Sequence, residues 1–399
     1  MTSMKREYET MLQDHFMHDT QMAFVAGPRQ VGKTTACRSF VNRHHYFNWD
    51  NDDDRRIIIS GPAAVVEKIG SSETRTIVFD ELHKYPNWKV FLKGFYDTYA
   101  HDFFHVVVTG SSRLDLYRKG ADSLMGRYFL YHMFPLTVAE IVNQDHRLQK
   151  TGPPKNISDD DFETLERFGG FPEPYLKRSL RFYNRWKRTR LKLLFREDLR
   201  DISRVHEVGQ VELLAEFIRQ QAGQLINYAS FSRKIRASQD SIRRWIAVLE
   251  SLYYCFTIRP WTKNISRSLL KDPKIYLSDW SLVDDHGSRH ENLVACHLLK
   301  ALSWWQDQGF GEYGLYFLRT KDKREVDFLV TENNKPWFMV EVKSSKSRPL
   351  SKQLEYFKTR IGAQHAFQIM MDADFEDTNC FDYSYPIRVS ARSFLSQLV

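Results

Sequence analysis

Residues 27–34, Gly-Pro-Arg-Gln-Val-Gly-Lys-Thr, constrain the fold of this chain more than any other part of the sequence. They match the pattern Gly-x4-Gly-Lys-Thr and follow an apolar run at 22–26 that is typical of a buried parallel strand. Glycines let the backbone turn so that several N–H groups point at one phosphate, and the start of a helix adds partial positive charge. The sequence therefore predicts a strand, a phosphate-binding loop and a helix that begins near Lys33.

The predicted loop supplies the groups that bind a nucleotide together with Mg²⁺. The ammonium of Lys33 can reach the β- and γ-phosphates, and the hydroxyl of Thr34 can ligate the metal ion. An ordinary glycine turn is the alternative interpretation, and the flanking strand and helix disfavour it. The residues expected to contact ATP are Gly27, Pro28, Arg29, Gln30, Val31, Gly32, Lys33, Thr34 and Thr35.

A second apolar run, at 76–79, ends in two adjacent carboxylates, Asp80 and Glu81. Open α/β sheets bind their ligands at the carboxyl ends of the strands, which is where these side chains would lie. Asp80 would hold Mg²⁺ through water, and Glu81 would orient or deprotonate the attacking water. Alone, an apolar run that ends in Asp-Glu is equally consistent with a plain strand end. Downstream of a phosphate-binding loop, it indicates the geometry of ATP hydrolysis.

A third apolar run, at 106–109, ends in small hydroxyl residues and an arginine. If this strand pairs beside the second one, Thr109 or Ser111 lies near the nucleotide and could sense the γ-phosphate. Arg113 and Arg127 are the nearest arginines in sequence that could stabilise transition-state charge, in the same chain or in a neighbouring subunit's site. The sequence does not choose between them, and each could instead be a surface arginine.

Several segments of the chain resemble a prokaryotic family of AAA-type ATPases with an uncharacterised C-terminal region. The resemblance is carried by Gly-Pro-Arg-Gln-Val-Gly-Lys-Thr-Thr at 27–35, Phe-Asp-Glu-Leu-His-Lys-Tyr-Pro-Asn-Trp at 79–88, Thr-Gly-Ser-Ser-Arg at 109–113, and Gly-Arg at 126–127 followed by Phe-Pro-Leu-Thr at 134–137. It is dense over residues 20–142 and recurs in the C-terminal third. The resemblance implies ATP and Mg²⁺ binding at Lys33, Thr34 and Asp80, catalysis by Glu81, and assembly into a homo-oligomer. It implies no defined substrate.

The positive charge of the chain is concentrated in its middle. Lys and Arg total 58 against 50 Asp and Glu, a formal net charge of +8 that leaves nucleic acid open as a partner. Residues 177–192 alone hold eight Lys/Arg and no acidic residue. Such a stretch fits a phosphate backbone, and it is equally consistent with a solvated helix surface or a cover for the acidic residues near 158–163. At helical spacing, one basic face would comprise Arg178, Arg181, Arg185, Arg188 and Lys192.

A second basic window, at 221–270, contains eight Lys/Arg and two acidic residues. Its pattern predicts a helix, a turn, a second helix and a strand, which is the order of elements in a winged helix. Gln239, Ser241, Arg243 and Arg244 would then lie at the exposed start of a recognition helix. Winged helices bind either DNA or protein, and the sequence leaves both open.

The C-terminal region holds a separate set of residues suited to metal-dependent chemistry. Apolar runs around residues 325–343 predict a β-hairpin in which alternation places Glu341 and Lys343 on one face. With Asp327 they form Asp-x13-Glu-x-Lys, two carboxylates for Mg²⁺ and a lysine to position water. Glu291, on a preceding amphipathic segment, would be a further metal ligand. This set resembles the restriction-endonuclease-like, PD-(D/E)xK core, and the alternative is a cross-strand ion pair in an inactive domain of that fold.

These features predict an α/β protein with three domains. The expected divisions are an AAA-type ATPase domain with a parallel P-loop sheet over 1–145, a helical and winged-helix-like region over 146–270, and a restriction-endonuclease-like α/β domain over 271–399. The four cysteines lie far apart, and the sequence lacks a run of eighteen apolar residues, so we expect a cytoplasmic protein with no membrane partner. A short acidic stretch at 50–54 is expected to be a solvated loop.

The function expected from the sequence is ATP binding and hydrolysis, with Mg²⁺, by an ATPase that acts on DNA. The nucleotide state would change contacts between protomers or domains, while the basic middle and the nuclease-like domain act on the DNA. The alternative is a nucleotide-gated binding or signalling protein whose inactive nuclease fold contacts a protein partner. A small-molecule kinase is disfavoured, because Asp80 and Glu81 suit the activation of water.

Overall fold

The computed structural model describes residues 4–41, 45–70, 76–100, 104–110, 124–143, 149–199, 207–262 and 272–399. The chain forms two compact units. The first unit comprises Met1–Phe134 with His146–Leu148, and the second comprises Pro135–Asp145 with Gln149–Val399.

The first unit is built on a sheet of five parallel strands in the order β2-β3-β4-β1-β5. Its strands are β1 Met22–Ala26, β2 Tyr46–Asn48, β3 Thr76–Asp80, β4 His105–Gly110 and β5 Tyr128–His132. Its helices are α1 Glu7–His18, α2 Lys33–Arg38, α3 Asp52–Ser60, α4 Pro62–Ile69 and α5 Trp88–Phe95. The parallel α/β sheet predicted from the three apolar runs is therefore present, and β4 lies between the phosphate-loop strand and the Asp80 strand.

The apolar runs become strands because their side chains are buried. Every residue of β1 is buried, as are the four residues of β3 from Ile77 onward. Aromatic rings fill much of the core, with Phe79 in edge-to-face contact with Phe91 and Phe95. A strand buried in this way reads as a continuous apolar run, which is why the sequence located these strands correctly.

The acidic stretch at 50–54 begins a helix and is not a loop. The side chain of Asn51 accepts hydrogen bonds from the backbone N–H groups of Asp53 and Asp54, which caps α3. The first turn of α3 contains three aspartates, whose negative charge is favourable at a helix N-terminus. Helix capping therefore explains a run of carboxylates for which the sequence alone indicated only solvation.

The second unit contains a mixed sheet of seven strands in the order β12-β11-β10-β9-β8-β6-β7. These strands are β6 Cys255–Pro260, β7 Lys274–Leu277, β8 Tyr313–Arg319, β9 Glu325–Glu332, β10 Lys335–Lys343, β11 His365–Met370 and β12 Pro386–Ser390. The hairpin of β9 and β10 is antiparallel, as predicted, while β10, β11 and β12 are parallel. The helices described in this unit are α6 Val138–Val142, α7 Asp159–Phe168, α8 Pro172–Lys177, α9 Leu180–Leu193, α10 Val208–Gln220, α11 Tyr228–Ile235, α12 Gln239–Ser251, α13 His286–Asp307, α14 Lys352–Ile361 and α15 Ala391–Ser396.

Helices α10, α11 and α12 pack with β6 and β7 around one hydrophobic core. Trp245 and Phe231 are fully buried at its centre. Strands β6 and β7 pair in antiparallel fashion, and Leu225 forms an additional bridge to Lys274. The order of elements is three helices, with a short extended segment before the second, followed by the antiparallel pair β6 and β7 at one edge of the seven-stranded sheet.

The two compact units differ from the three domains expected from the sequence. The predicted boundary at residue 270 falls between β6 and β7, which pair with each other. Strand β6 pairs on its other edge with β8, so the chain on both sides of residue 270 contributes to one sheet. The first unit also ends its main segment at Phe134, before the predicted boundary at 145.

Within the described residues, no helix combines the length and the apolar character needed to cross a membrane.

Candidate functional site

The loop between β1 and α2 adopts a conformation that depends on its glycines. Gly32 has a φ of 106°, in the left-handed region that favours glycine, and Gln30 also has a positive φ of 65°. A Cβ atom on Gly27 would lie 2.3 Å from the carbonyl oxygen of Met133, so only glycine fits there. These restrictions hold the loop curled ahead of the helix, as a phosphate-binding loop requires.

Lys33 is buried and turns its ammonium toward the loop that precedes it. Its Nζ donates hydrogen bonds of 2.8 Å to the carbonyl oxygens of Gly27 and Pro28. Burial lowers the pKa of Lys33, and the carboxylates of Glu81 and Asp80 oppose that change. The side chain therefore lies where a phosphate held by the loop would meet a positive charge.

Asp80 is the buried centre of the site. Its Oδ2 accepts a hydrogen bond of 2.9 Å from the hydroxyl of Thr34 and another from the hydroxyl of Tyr46. Its Oδ1 accepts a hydrogen bond from the hydroxyl of Thr109, which β4 places beside β3. Burial and the hydrogen bond to Asp80 raise the pKa of Tyr46 above its usual range. The sequence indicated Thr34, Asp80 and Thr109 but not Tyr46, whose strand is only three residues long.

Glu81 follows directly in an unusual backbone conformation. Its φ of 55° lies in the left-handed region, which turns the chain sharply after β3. The carboxylate lies 3.3 Å from Nζ of Lys84 and 3.9 Å from Nε2 of His83. Glu81 is therefore held beside Asp80 and remains partly accessible, with 19% of its side chain exposed.

The residues around this loop fit a nucleotide with Mg²⁺. The Thr34 hydroxyl and the Asp80 carboxylate provide two oxygens 2.9 Å apart, and oxygen is the ligand type that Mg²⁺ prefers. Thr34 would ligate the ion and Asp80 would accept hydrogen bonds from its water ligands, while the loop N–H groups and Lys33 would hold the phosphates.

Arg127 does not lie at this site in its own chain. Strand β5 pairs Tyr128 with Met22, the first residue of β1, so Arg127 precedes the paired residues. It therefore lies at the amino-terminal edge of the sheet, whereas the phosphate loop follows the carboxyl end of β1. There the Arg127 guanidinium makes two hydrogen bonds to Asp97, of 2.7 and 3.0 Å. Ser111 and Arg113, the other predicted members, lie outside the described residues.

Arg6 contacts the phosphate loop, and the sequence did not indicate it. Its buried guanidinium donates hydrogen bonds to the carbonyl oxygens of Val31 and Phe134, the latter at 2.7 Å. Helix α1 begins one residue later, so this arginine joins the start of the chain to the loop. An isolated arginine carries no pattern that would distinguish this position from a surface one.

A second site in the other unit brings together the carboxylates predicted in the C-terminal region. Asp327 on β9 lies beside β10, where its Oδ2 accepts a hydrogen bond of 2.8 Å from the backbone N–H of Val342. On β10, Nζ of Lys343 donates to Oε1 of Glu341 at 2.6 Å. Glu291 on α13 faces the same place, because one ammonium group, Nζ of Lys274, lies 3.0 Å from Glu291 and 4.0 Å from Asp327.

Lys274 is an additional member of this cluster that the sequence did not indicate. It is buried, and its Nζ lies 3.0 Å from Glu291, 2.6 Å from Glu325 and 4.0 Å from Asp327. Burial alone would lower the pKa of Lys274, but these three carboxylates together raise it. Tyr276 donates a further hydrogen bond of 2.7 Å to Glu291. Both residues lie on β7, whose four-residue length gives a weak sequence signal.

The electrostatics of this cluster favour a cation. Burial raises the pKa of Asp327 well above its usual range, and the nearby charges of Glu291 and Glu341 raise it further. Burial likewise raises the pKa of Glu341, whose Oε2 has no hydrogen-bond partner among the described residues. Four carboxylates, those of Glu291, Glu325, Asp327 and Glu341, surround the ammonium groups of Lys274 and Lys343, and Glu325 also pairs with Arg319. This partly buried excess of carboxylates, together with an oxygen that lacks a partner among the described residues, fits a divalent metal ion such as Mg²⁺.

The predicted recognition helix exposes its basic residues. Gln239, Arg243 and Arg244 are exposed near the start of α12, and Ser241 is half-buried. The guanidinium of Arg243 stacks 3.8 Å from the ring centre of Tyr228. Of the other basic residues in this window, Arg233, Lys234 and Arg236 are exposed, while Lys263 and Arg267 lie outside the described residues.

The basic stretch at 177–192 divides into exposed and structural residues. Arg178 precedes α9 and pairs with Asp160 and Asp161. It therefore covers the acidic segment, which was one of the two alternatives to binding a phosphate backbone. Arg190 is buried and pairs with Asp279 at 3.1 Å. The basic residues that remain exposed on α9 are Arg181, Arg185, Arg188 and Lys192.

Comparison with protein families identifies the first of these regions. Residues 19–142 match the family model described as an AAA domain. Residues 159–286 and 286–385 match two models that are each described as a domain of unknown function, DUF8612 and DUF4143. The AAA match spans the parallel sheet, the phosphate-binding loop and the Asp80 strand. The first unit therefore contains an AAA-type P-loop ATPase domain.

Individual relatives carry no more specific assignment. The chain is 22% identical to an uncharacterized protein of Mycobacterium tuberculosis over 356 residues, which cover 85% of this chain and 74% of that protein. It is 25% identical to an uncharacterized protein of Methanocaldococcus jannaschii over 343 residues, covering 79% and 73%. Among solved structures, the Aeropyrum pernix ORC1 protein in complex with DNA aligns with a TM-score of 0.32 and 13% identity, covering 72% of this chain and 91% of that one.

Proposed function

We propose that this AAA-type ATPase acts on DNA and that its second unit carries a Mg²⁺-dependent phosphodiesterase site. One observation carries the proposal: Glu291, Asp327, Glu341 and Lys343, from a helix and two strands, meet in one partly buried cluster. Two carboxylates and a lysine at adjoining strand positions are the groups that metal-dependent phosphodiester hydrolysis uses.

In this site each protein group has a distinct role. Asp327 and Glu341 would hold Mg²⁺, with Glu291 beside them, and the bound ion would polarise a phosphodiester and offset its charge. Lys343, fixed 2.6 Å from Glu341, would position the attacking water and stabilise the negative charge that develops on the phosphate. Among the residues that the structure describes, Oε2 of Glu341 has no hydrogen-bond partner, which supports this assignment because a buried carboxylate oxygen is normally paired.

In the ATPase site, the proposed roles are again to stabilise developing charge and to position the attacking water. Lys33 stabilises charge on the transferring phosphoryl group, and Glu81 orients the attacking water and accepts its proton. Arg127 would act in a neighbouring subunit of a homo-oligomer, since it lies at the opposite edge of its own sheet from the phosphate loop. ATP and Mg²⁺ are the cofactors of this reaction.

DNA would be bound by the exposed basic residues of α12 and α9. The order of α10, α11, α12, β6 and β7 supports a winged helix with α12 as its recognition helix. A phosphate backbone is bound by a positively charged surface. Such charge is present in Arg243 and Arg244 at the start of α12 and in four exposed basic residues along α9.

The nuclease proposal is tested with the full-length protein on plasmid and linear DNA. We expect cutting that requires Mg²⁺ or Mn²⁺ and that falls at least about a hundredfold in Glu341→Ala, because the variant loses a metal ligand. Glu332→Ala is the matched control, since Glu332 lies on the same hairpin but pairs with Lys150. Equal cutting by the wild type and Glu341→Ala would refute the assignment of this cluster.

A second candidate function is DNA or protein binding by a chain whose carboxylate cluster is catalytically inactive. It is favoured by Lys274, whose buried ammonium already neutralises part of the carboxylate charge. In that case no metal would support cutting, while DNA or protein binding by the full-length protein would survive Glu341→Ala.

A further inference from the structure

Three residues capable of binding a transition metal meet in the second unit, outside the two sites described above. Glu166 is on α7, and His286 and His290 lie four residues apart on one face of α13. One ligand atom from each residue lies within 4.8 Å of the other two. The function proposed above uses none of these three side chains.

The distances within this cluster match a shared metal ion. Nε2 of His290 lies 3.0 Å from Oε1 of Glu166, and Nε2 of His286 lies 3.2 Å from the same oxygen. Ligand atoms bound to Zn²⁺ at about 2.0–2.1 Å in tetrahedral geometry are separated by about 3.3 Å. Each nitrogen therefore lies at about the distance from the Glu166 oxygen that a shared Zn²⁺ ion requires.

A neighbouring hydroxyl orients one of the histidines. Nδ1 of His290 lies 3.0 Å from Oγ of Ser344. When Nδ1 donates that hydrogen bond, the lone pair of Nε2 faces the Glu166 carboxylate, an arrangement that is stable only with a proton or a cation between them. Metal-binding histidines are commonly oriented in this way, by a hydrogen bond from the ring nitrogen that does not bind the metal.

We propose that Glu166, His286 and His290 form a binding site for Zn²⁺ or a divalent transition metal of similar chemistry. Two imidazoles and one carboxylate are a recognised zinc ligand set, whereas Mg²⁺ prefers oxygen ligands alone. The site has room for a water or an external ligand, because 67% of the His286 side chain is exposed. Bound metal would join α7 to the first turns of α13.

The proposed metal site adjoins the carboxylate cluster in the chain, but it does not depend on the function of that cluster. His290 precedes Glu291 in α13, and Ser344 follows Lys343 at the end of β10. A metal that restrains His290 would therefore restrain the helix turn that carries Glu291. The metal site and the nuclease proposal remain separable, because they use different side chains.

The experiment measures Zn²⁺ binding to the chelator-treated full-length protein by titration calorimetry. We expect an equivalent of Zn²⁺ to bind at this site in the wild type and its affinity to fall at least about tenfold in His286→Ala, since even outer-shell changes cost about 10–100-fold. His18→Ala is the matched control, because His18 has 68% of its side chain exposed and also lies beside a carboxylate, that of Asp14. With Co²⁺ as the probe, the wild type should show the visible absorption of tetrahedral coordination, and His286→Ala should not.

Glu341→Ala distinguishes this site from the carboxylate cluster. Retention of wild-type Zn²⁺ affinity in Glu341→Ala, together with weakened binding in His286→Ala, supports the proposed site. The proposal is overturned if the wild type binds no Zn²⁺, if His286→Ala binds it with wild-type affinity, or if only Glu341→Ala loses it. Because His286 is exposed, its replacement should leave the fold intact, which circular dichroism checks.

Discussion

At the residue scale, Asp80 accepts hydrogen bonds from hydroxyls on three different elements. Thr34 lies in the first turn of α2, Tyr46 lies on β2 and Thr109 lies on β4. Hydrogen bonds to a buried carboxylate are stronger than neutral ones and keep its position well defined. The carboxylate is thereby held beside the phosphate loop with one oxygen directed toward Thr34.

The role proposed for Glu81 predicts a separation of binding from hydrolysis. Glu81→Gln should retain ATP binding while phosphate release falls by about 10²–10⁴-fold, because the amide cannot accept the proton of the attacking water. ATP binding is measured with a fluorescent analogue, and hydrolysis by the rate of phosphate release. A variant with wild-type turnover would remove Glu81 from the mechanism.

Lys33→Ala provides the contrasting result at the same site. Lys33 would contact the phosphates in both the bound state and the transition state, so its loss should weaken ATP binding as well as hydrolysis. Lys93→Ala is a suitable control, because Lys93 is an exposed lysine on α5 of the same unit. Its ATP binding and turnover should equal those of the wild type.

Individual residues of the basic stretch at 177–192 have unlike roles. Arg190 is buried against Asp279 and stacks 3.8 Å from the ring centre of Phe171, whereas Arg188 two positions earlier is exposed. Removing one partner of a buried ion pair leaves an uncompensated charge, so the Arg190 pair belongs to the stability of the second unit. Net charge alone therefore overstates the surface available for DNA.

At the element scale, α12 is the helix whose exposed basic start supports DNA binding. Ser238 caps it by accepting a hydrogen bond from the N–H of Ser241, and Ile242, Trp245 and Leu249 bury its other face. The exposed side chains Arg243 and Arg244 can therefore be changed without disturbing the core.

The double variant Arg243→Glu, Arg244→Glu should weaken DNA binding and make it less dependent on salt. Each lost phosphate contact lowers the slope of log affinity against log salt concentration by about 0.9, so the slope should fall by up to about 2. The measurement is fluorescence anisotropy of labelled duplex DNA over a range of salt concentrations.

The matched control for this pair is Arg55→Glu, Arg56→Glu. Arg55 and Arg56 are adjacent arginines on α3, and they pair with Asp52 and Asp53 of the same helix. Their replacement should leave the slope at its wild-type value. Equal salt dependence in all three proteins would exclude α12 from the DNA interface.

At the scale of the whole second unit, buried polar groups couple stability to pH. His297 is fully buried in α13, where its Nε2 accepts a hydrogen bond of 3.1 Å from the N–H of Val138 and its Nδ1 donates one of 2.8 Å to the carbonyl of Leu293. These contacts fix the neutral ring. Burial lowers the pKa of His297 to about 3.

Acid should therefore destabilise the folded chain through His297. Between pH 6.5, the usual histidine pKa, and about 3, the unfolded chain binds a proton that the folded chain does not, so unfolding becomes more favourable as pH falls. Between pH 7 and 5.5 this single group should lower the free energy of unfolding by about 1 kcal/mol. The measurement is urea unfolding at both pH values.

His297→Gln should show a correspondingly smaller change in unfolding free energy between these pH values. His18→Gln, which changes an exposed histidine on α1, should keep the wild-type pH dependence. A His297→Gln protein with the full wild-type loss of stability would show that other groups cause it.

Much of the geometry of the candidate nucleotide site could be predicted from the sequence because its signals are local. The loop at 27–34 requires glycines at fixed positions, and a strand buried on both faces appears as an apolar run ending at the ligand edge. The hairpin carrying Asp327, Glu341 and Lys343 was predicted in the same way, from strand alternation. Each of these features depends on residues close together in the chain.

Other members of both sites could not be predicted, because they come from distant segments. Arg6 reaches the phosphate loop, and Tyr46 reaches Asp80, through the order of strands and helices in the first unit. Lys274 reaches the carboxylate cluster because β6 and β7 join the sheet that contains β9. The domain boundary expected at residue 270 falls between β6 and β7, whose pairing joins segments that no local pattern relates.

The sequence by itself determined the chemistry available to this protein: a phosphate-binding loop with its acidic partner, a basic middle region and a carboxylate-lysine hairpin. Those features are encoded by residue type at short spacing, where backbone geometry alone sets the relation between side chains. Only the tertiary structure decided which charges are paired, such as Arg178 and Arg190, and which groups meet, such as Lys274 with Asp327 or Glu166 with His290. Pairing across long stretches of chain depends on the packing of whole elements, and no local pattern of residues specifies it.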